Sequence, residues 1–195
     1  MSLSLNTDIL TRFIYNDTFI ETGTFNGGGV QVALDSGFKY VYSIEVSPEY
    51  YKIATERFYN TMNVDLYLGD SIEVLPAILT SINKPVTIFL DSHFFSFSPA
   101  TKPDGSRLSP SDVPLLLELD AIKAHRINTH TILVDDRRAF GKEYASGEKL
   151  AEAWLYLTED IVVKKLLEIN PKYDIYYLDS NNEKNDIIVA EVNII

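Results

Sequence analysis

Hydrophobic and polar positions along the chain fall into two alternating rhythms. Short apolar runs rich in β-branched and aromatic residues read as strands. Asp17–Thr22 (DTFIET), Phe38–Glu45 (FKYVYSIE) and Val64–Gly69 (VDLYLG) are three of them. Val86–Asp91 (VTIFLD) and Thr131–Asp135 (TILVD) are continuous apolar runs that end in an acid. Such runs suggest burial on both faces, the mark of a parallel sheet covered by helices. Tyr173–Asp179 and Asp186–Val192 come late, joined by the turn-rich Ser180–Lys184, and predict an antiparallel hairpin.

Helical patterns lie between the strands. Ser4–Tyr15 leads in. Ser47-Pro48 gives an N-cap followed by Pro at the first helical position, opening a helix with Tyr50, Ile53, Ala54 and Phe58 on one face. Ile72, Leu75, Leu79 and Ile82 mark a second stripe, which Pro76 should distort or delay. Asp112 and Pro114 start a third helix through Leu115, Leu119 and Ile122, and Lys149–Ile169 is helical in composition with a break near Thr158. This alternation predicts an α/β doubly wound sheet with right-handed crossovers. No repeat or linker divides residues 1–195, so one domain is expected. Ser92–Pro110 fits neither rhythm. A loop this long is usually functional, and Phe94, Phe95 and Phe97 suggest that it covers a substrate.

Composition narrows the function. The chain has 195 residues, 17 Lys+Arg against 28 Asp+Glu, and a formal net charge of −11. That balance disfavours nucleic acid and anionic membranes as partners. The absence of cysteine excludes a disulfide scaffold, a thiolate metal site and a cysteine nucleophile. Met1–Leu10 lacks the basic start and apolar core of a signal peptide, and no apolar run approaches the ~18 residues that span a bilayer. A cytoplasmic location is therefore the expectation.

In open α/β sheets, ligands bind at the carboxyl ends of the strands. The first strand runs into Glu21-Thr22-Gly23-Thr24-Phe25-Asn26-Gly27-Gly28-Gly29. Glycines there permit a tight turn and close backbone approach to a nucleotide-like ligand, and the next helix offers its first N–H groups. The dinucleotide pattern G-x-G-x-x-G does not fit, because Phe25 stands where the second Gly belongs. Glu45 ends the second strand, placed to accept bonds from ribose hydroxyls. Gly69-Asp70-Ser71 ends the third, where Asp70 or Ser71 can meet an adenine edge, cap a helix, or do both.

The segments ETGTFNGGGV, YSIEVSPEYYKIA and LGDSIEVLPAI resemble the successive motifs of class I S-adenosylmethionine-dependent methyltransferases. The subgroup they resemble is the small-molecule O-methyltransferases of the catechol, caffeoyl-CoA and macrocin type. The resemblance covers roughly Phe19 to Phe140. It implies a Rossmann-like sheet of seven strands, order 3-2-1-4-5-7-6, with the last strand antiparallel. It also implies that Glu21 and Gly23 hold the methionine part of the cofactor, Glu45 the ribose, and Asp70 and Ser71 the adenine, with Thr24, Phe25 and Gly27 also at the cofactor. Asp91 would close the cofactor site.

The fourth and fifth strands end in Asp91-Ser92-His93 and Asp135-Asp136. Neighbouring strands lie about 4.8 Å apart, so these carboxylates would crowd one another. A divalent cation such as Mg²⁺ would neutralise them, and the resemblance implies such a metal at Asp91, Asp135 and Asp136. Arg137 and Arg138 are the alternative counter-charges. Catechol-type enzymes place a general-base lysine just after the strand-four acid. Here His93, Phe94 and Phe95 occupy those positions, and the nearest lysine is Lys102. His93 is therefore the candidate base, with Asp91 beside it. His125 and His130 are expected at the surface. The implied activity is methyl transfer from S-adenosylmethionine to a hydroxyl of a small-molecule acceptor. An NAD(P)-dependent oxidoreductase and a non-catalytic binding protein on the same fold are the alternatives.

Overall fold

In a computed structural model, residues 4–93, 113–142, 145–146, 149–150 and 153–192 are described. Most of the expected covering loop, residues 94–110, lies outside them. The apolar runs form the strands β1 (Thr18–Thr22), β2 (Tyr40–Glu45), β3 (Val64–Leu68), β4 (Thr87–Leu90), β5 (Thr131–Val134), β6 (Asp174–Leu178) and β7 (Ile187–Glu191). They make a seven-stranded sheet of order β3-β2-β1-β4-β5-β7-β6. The first five strands are parallel, and β7 runs antiparallel to both β5 and β6. This is the Rossmann-like order expected. Every residue of β1, β4 and β5 is buried, as their continuous apolar character requires.

Helices cover both faces. One core joins Ile20, Ile44, Ile88 and Ile132 to Leu75 and Leu79 of α4 (Ser71–Ser81), Leu119 and Ile122 of α5 (Leu115–Ala124), and Val162 and Leu166 of α7 (Glu159–Ile169). The other joins Phe19, Val41, Phe89 and Leu133 to Ile9 and Leu10 of α1 (Thr7–Leu10) and Val30 and Ala33 of α2 (Gly28–Ser36). Alternate residues of each strand thus feed opposite cores, following the period-2 pleat.

Four expectations are corrected. The leading helix is only α1 plus a 3₁₀ turn over Thr11–Phe13. Asn6 caps it by accepting from the Ile9 amide at 3.0 Å, and the chain then turns so that the Asn16 amide can reach Thr87 and Thr131. In α3 (Pro48–Arg57) only Ala54 is buried, joined by Phe58 just beyond, while Ile53 is exposed. An i, i+4 pair is a narrower stripe than the four-residue face expected. Pro76 does not delay α4, which starts five residues earlier on the Asp70 cap. Its ring removes the one bond to the Ile72 carbonyl, and the helix continues. Lys149–Leu150 pairs with Ala145–Ser146 in a short ladder instead of joining a helix, whereas the break at Thr158 is present as the cap of α7. The four-residue α6 (Ala153–Tyr156) precedes it.

The histidines depart most from expectation. His130 is fully buried at the amino edge of the sheet, and His125 is half-buried. The Val86 amide donates to His130 Nδ1 at 3.2 Å, so neutral His130 carries its proton on Nε2. That nitrogen lies 2.9 Å from His125 Nδ1. Burial, with His125 adding to it, lowers His130 to about 4. Among the described residues no helix is long and apolar enough to cross a membrane.

Candidate functional site

The turn after β1 is built around a buried acid. Gly23 has φ +87°, and a Cβ there would stand 2.5 Å from the Asp91 carbonyl oxygen. That close approach lets the ends of β1 and β4 lie side by side. Gly29, in the first turn of α2, would place a Cβ 1.7 Å from Glu21 Oε1. Glu21 therefore fits directly beneath the helix N-terminus, where the helix dipole favours negative charge. Ser43 Oγ donates to Glu21 Oε2 at 2.7 Å, and Thr24 Oγ1 donates to Ser43 at 2.6 Å. Burial raises Glu21 to about 8; the Ser43 bond opposes this and Glu45 adds to it.

Phe25 takes the left-handed conformation at φ +49°, a strain of about 1–2 kcal/mol for a non-glycine residue. Two contacts hold it. Its amide donates to Glu45 Oε2 at 2.7 Å, and its ring meets Tyr50 at 4.3 Å between centroids. Glu45 Oε1 accepts from the Ser47 amide at 2.8 Å. The carboxylate expected at the ribose thus organises its own loop, accepting from the backbone of Phe25, Ser47 and Val46, and keeps lone-pair capacity for one hydroxyl. Gly27, at φ +81°, leaves α2's first N–H groups open at the turn. Asp70 caps α4 through Oδ1, accepting from the Ile72 amide at 3.0 Å, while its buried Oδ2 has no partner. Ser71 Oγ lies 3.2 Å from Ser92 Oγ.

The ends of β4 and β5 gather the second group. His93 Nε2 lies 2.9 Å from Asp136 Oδ2 and 3.8 Å from Asp91 Oδ1. Arg138 bridges Asp136 and Asp186. Arg137 turns away, donating to Glu159 at 2.7 Å and lying over the Tyr177 ring. Of the two expected counter-charges, Arg138 alone serves the edge. Burial alone pushes Asp136 up, but the His93 bond and the charges of His93 and Arg138 hold it below the usual carboxylate range. Burial raises Asp91 well above that range, with Asp135, Asp136 and Glu21 adding repulsion. Asp135 is raised to about 7 by burial and by Asp136, with Ser4 and the Asp136 amide opposing, and among the described residues it is paired with no cation. The three acids expected to hold a metal divide between two clusters sharing Asp136. Asp91, His93 and Asp136 bring donor atoms within 4.8 Å of one another, and so do Asp135, Asp136 and Asp186.

Sequence reasoning missed Glu118, Trp154 and Asp186. Glu118 is fully buried among the hydroxyls of Thr22, Ser71 and Ser92, with no counter-charge among the described residues. Burial raises it to about 7. The signal was present: Glu118 sits three residues after Leu115 and four before Ile122, on the apolar face of α5. Trp154 stands edge-on to His93 at 5.8 Å and stacks on Phe140 at 6.0 Å. A cleft beyond the sheet is lined by Leu90, Asp91, Ser92, His93, Glu118 and Trp154.

No protein-family model matches the sequence, and no curated protein matches it. Solved structures do match the fold. The O-methyltransferase from Bacillus cereus in complex with SAH is 16% identical, with a TM-score of 0.58 over 96% of this chain and 80% of that one. The SAH-bound methyltransferase PaMTH1 from Podospora anserina is 13% identical, with a TM-score of 0.58 over 99% and 80%. Human methyltransferase-like protein 13 in complex with SAH is 13% identical, with a TM-score of 0.56 over 98% and 78%. The fold is that of the S-adenosylmethionine-dependent methyltransferases.

Two outcomes follow from this packing. Gly29→Ala forces Glu21 out of its seat, and denaturant unfolding should show a loss of about 1–3 kcal/mol; a variant as stable as the parent would contradict the seat. The pH dependence has a definite sign. Glu21, Glu118 and Asp135 keep their protons in the folded chain at pH values where the unfolded chain has lost them. Stability therefore falls as pH rises from about 4.5 through 7 to 8. Asp136 and His130 act oppositely, Asp136 with a loss confined to pH below the usual carboxylate range and His130 with a smaller opposing gain as pH rises to about 6.5. The ligand-free melting temperature should be lower at pH 8 than at pH 5.5, with Glu21→Gln reducing the difference. A rise with pH would refute the assignment.

Proposed function

We propose that the chain is an S-adenosylmethionine-dependent methyltransferase acting on a hydroxyl oxygen of a small molecule. One observation carries the reading: a buried carboxylate, Glu21, seated under a glycine turn and helix N-terminus that open beside an acidic, aromatic-walled cleft. The likeness of the fold to SAH-bound proteins supports it. When bound, S-adenosylmethionine supplies a methyl group on a positively charged sulfonium.

The chain's own residues divide the work. Glu21 and Asp91 offer negative charge to the cationic methionine end, and Gly23, Thr24, Phe25 and Gly27 supply the close backbone surface. Glu45 has lone-pair capacity for a ribose hydroxyl, and Asp70 Oδ2 and Ser71 suit the adenine. In the cleft, His93 takes the acceptor's hydroxyl proton as the oxygen–carbon bond forms and the carbon–sulfur bond breaks. Asp136 orients the imidazole and stabilises its charge. Alignment of the reacting groups supplies ~7–11 kcal/mol of barrier reduction.

Metal assistance is a second, separable reading, favoured by the crowding of buried Asp91, Asp135 and Asp136, which raise one another's charge cost. Asp91, His93 and Asp136 would hold the cation, with Asp135 next to Asp136 in the adjoining cluster. All-oxygen ligation suits Mg²⁺, and a carboxylate-rich site suits Mn²⁺ as well.

Calorimetric titration with S-adenosylhomocysteine should show saturable one-to-one binding, weakened about tenfold or more by Glu21→Ala. No heat at millimolar ligand would sink the cofactor reading. Methyl-labelled donor and a panel of hydroxyl compounds should reveal turnover that His93→Ala lowers by about 10²–10⁴-fold, mainly in kcat. Metal assistance predicts loss of that turnover in EDTA and its return with Mg²⁺ or Mn²⁺. Activity indifferent to EDTA rejects the metal and leaves methyl transfer intact.

A further inference from the structure

The methyl-transfer reading leaves the acceptor unidentified, and the cleft's charge inventory addresses it. Four carboxylates line this cleft: Asp91, Glu118, Asp135 and Asp136. Two of them are independently unusual. Glu118 is 0% exposed and Asp135 4% exposed, yet among the described residues neither meets a cation: Glu118 has only the hydroxyls of Thr22, Ser71 and Ser92 around it, and Asp135 only Ser4 and the Asp136 amide. An ionised carboxylate so placed costs several kcal/mol unless an opposite charge arrives.

The described cations are already committed. Arg138 bridges Asp136 and Asp186, and His93 lies on Asp136. Glu118 sits apart from that cluster, on α5, among the hydroxyls of Thr22, Ser71 and Ser92. Hydroxyls donate one proton each and do not neutralise a carboxylate. The remaining walls are apolar, with Leu90, Leu115 and the Trp154 indole facing the same space. A buried carboxylate with no counter-charge, in a cleft that an indole also lines, suits an ammonium group: the carboxylate takes its charge and N–H donors, and the ring can take its CH₂ neighbours by cation–π attraction.

We propose that the acceptor is itself a cation, a small molecule carrying a primary or secondary ammonium near the hydroxyl that receives the methyl group, with Glu118 as its anchor. The inference rests on the methyl-transfer reading and narrows it to amine-bearing alcohols, phenols or amino sugars. Asp135 provides a second acceptor on the same cleft. A neutral acceptor leaves both carboxylates desolvated and unpaired, so the site discriminates against it more strongly than a hydrophobic pocket discriminates by shape.

The test is calorimetry with matched probes in saturating S-adenosylhomocysteine at neutral pH. The pairs are tyramine with N-acetyltyramine and glucosamine with N-acetylglucosamine, which differ in the charge of the nitrogen and in an added acetyl group, whose bulk the Glu118→Gln variant controls for. The proposal expects at least one free amine to bind about tenfold or more tightly than its acetylated partner. Glu118→Gln, which keeps the shape and removes the charge, should abolish that preference, and Asp135→Asn should reduce it. Circular dichroism and the melting temperature of each variant establish that the fold is retained. Equal binding of acetylated and free partners, a preference untouched by Glu118→Gln, or no binding of any free amine overturns the proposal. So does an Mg²⁺ or Mn²⁺ ion that binds through Glu118 and displaces the amine. A chain that binds S-adenosylhomocysteine but does not discriminate between the probes defeats this inference alone. A chain that fails to bind S-adenosylhomocysteine defeats the methyl-transfer reading beneath it.

Discussion

The crowding of buried carboxylates at one edge of a parallel sheet is the constraint on which the structure turns. Parallel strands deliver their last residues to the same side. The Leu90↔Val134 register of β4 and β5 therefore places Asp91 and Asp135 next to each other, with the Asp135 amide donating to the Leu90 carbonyl at 3.1 Å. Glu21 reaches the same edge from β1, and Glu45 from β2. Each buried carboxylate costs several kcal/mol if left ionised and unpaired. The chain meets part of that cost with Ser43 on Glu21, backbone amides on Glu45, and His93 and Arg138 on Asp136. Glu118 and Asp135 are left without a counter-charge among the described residues.

The opposite edge is arranged differently. Around the start of β4 and β5, Asn16 donates to Thr87 and Thr131, Tyr15 bonds Thr131 and Glu191, and Tyr173 donates to the His130 carbonyl. The His125–His130 pair closes the gap to Val86. Most of the buried side chains short of a partner or a counter-charge lie instead at the carboxyl edge, on Thr22, Ser47, Asp70, Glu118 and Asp135. Polar groups at the amino edge join strands to one another, whereas those at the carboxyl edge await something else. Stability and chemistry are thus assigned to opposite ends of the same strands.

The fold was largely legible because apolar period and turn chemistry act locally. Continuous runs such as VTIFLD announced buried parallel strands, and Ser47-Pro48 announced a helix start. The glycine turn and the strand-end acids were legible for the same reason: topology alone sends them to one edge. Pairings that cross the fold were not. Nothing local says that Arg138 chooses Asp186, 48 residues away, while Arg137 chooses Glu159. The burial of His130 depends on a Val86 amide from a neighbouring strand. Glu118 was the one omission with a local signal, a carboxylate in register with an apolar helical stripe.

The central claim is that these buried acids hold their protons until a cation arrives. It is tested most directly by the protons exchanged when S-adenosylmethionine binds. Titration at pH 6.5 in buffers of different ionisation enthalpy measures that exchange. Glu21, raised to about 8, and its neighbours should ionise as the sulfonium and ammonium approach, so binding should release protons. The Glu21→Gln variant should release fewer. Binding with no proton release, or with proton uptake, would contradict the account.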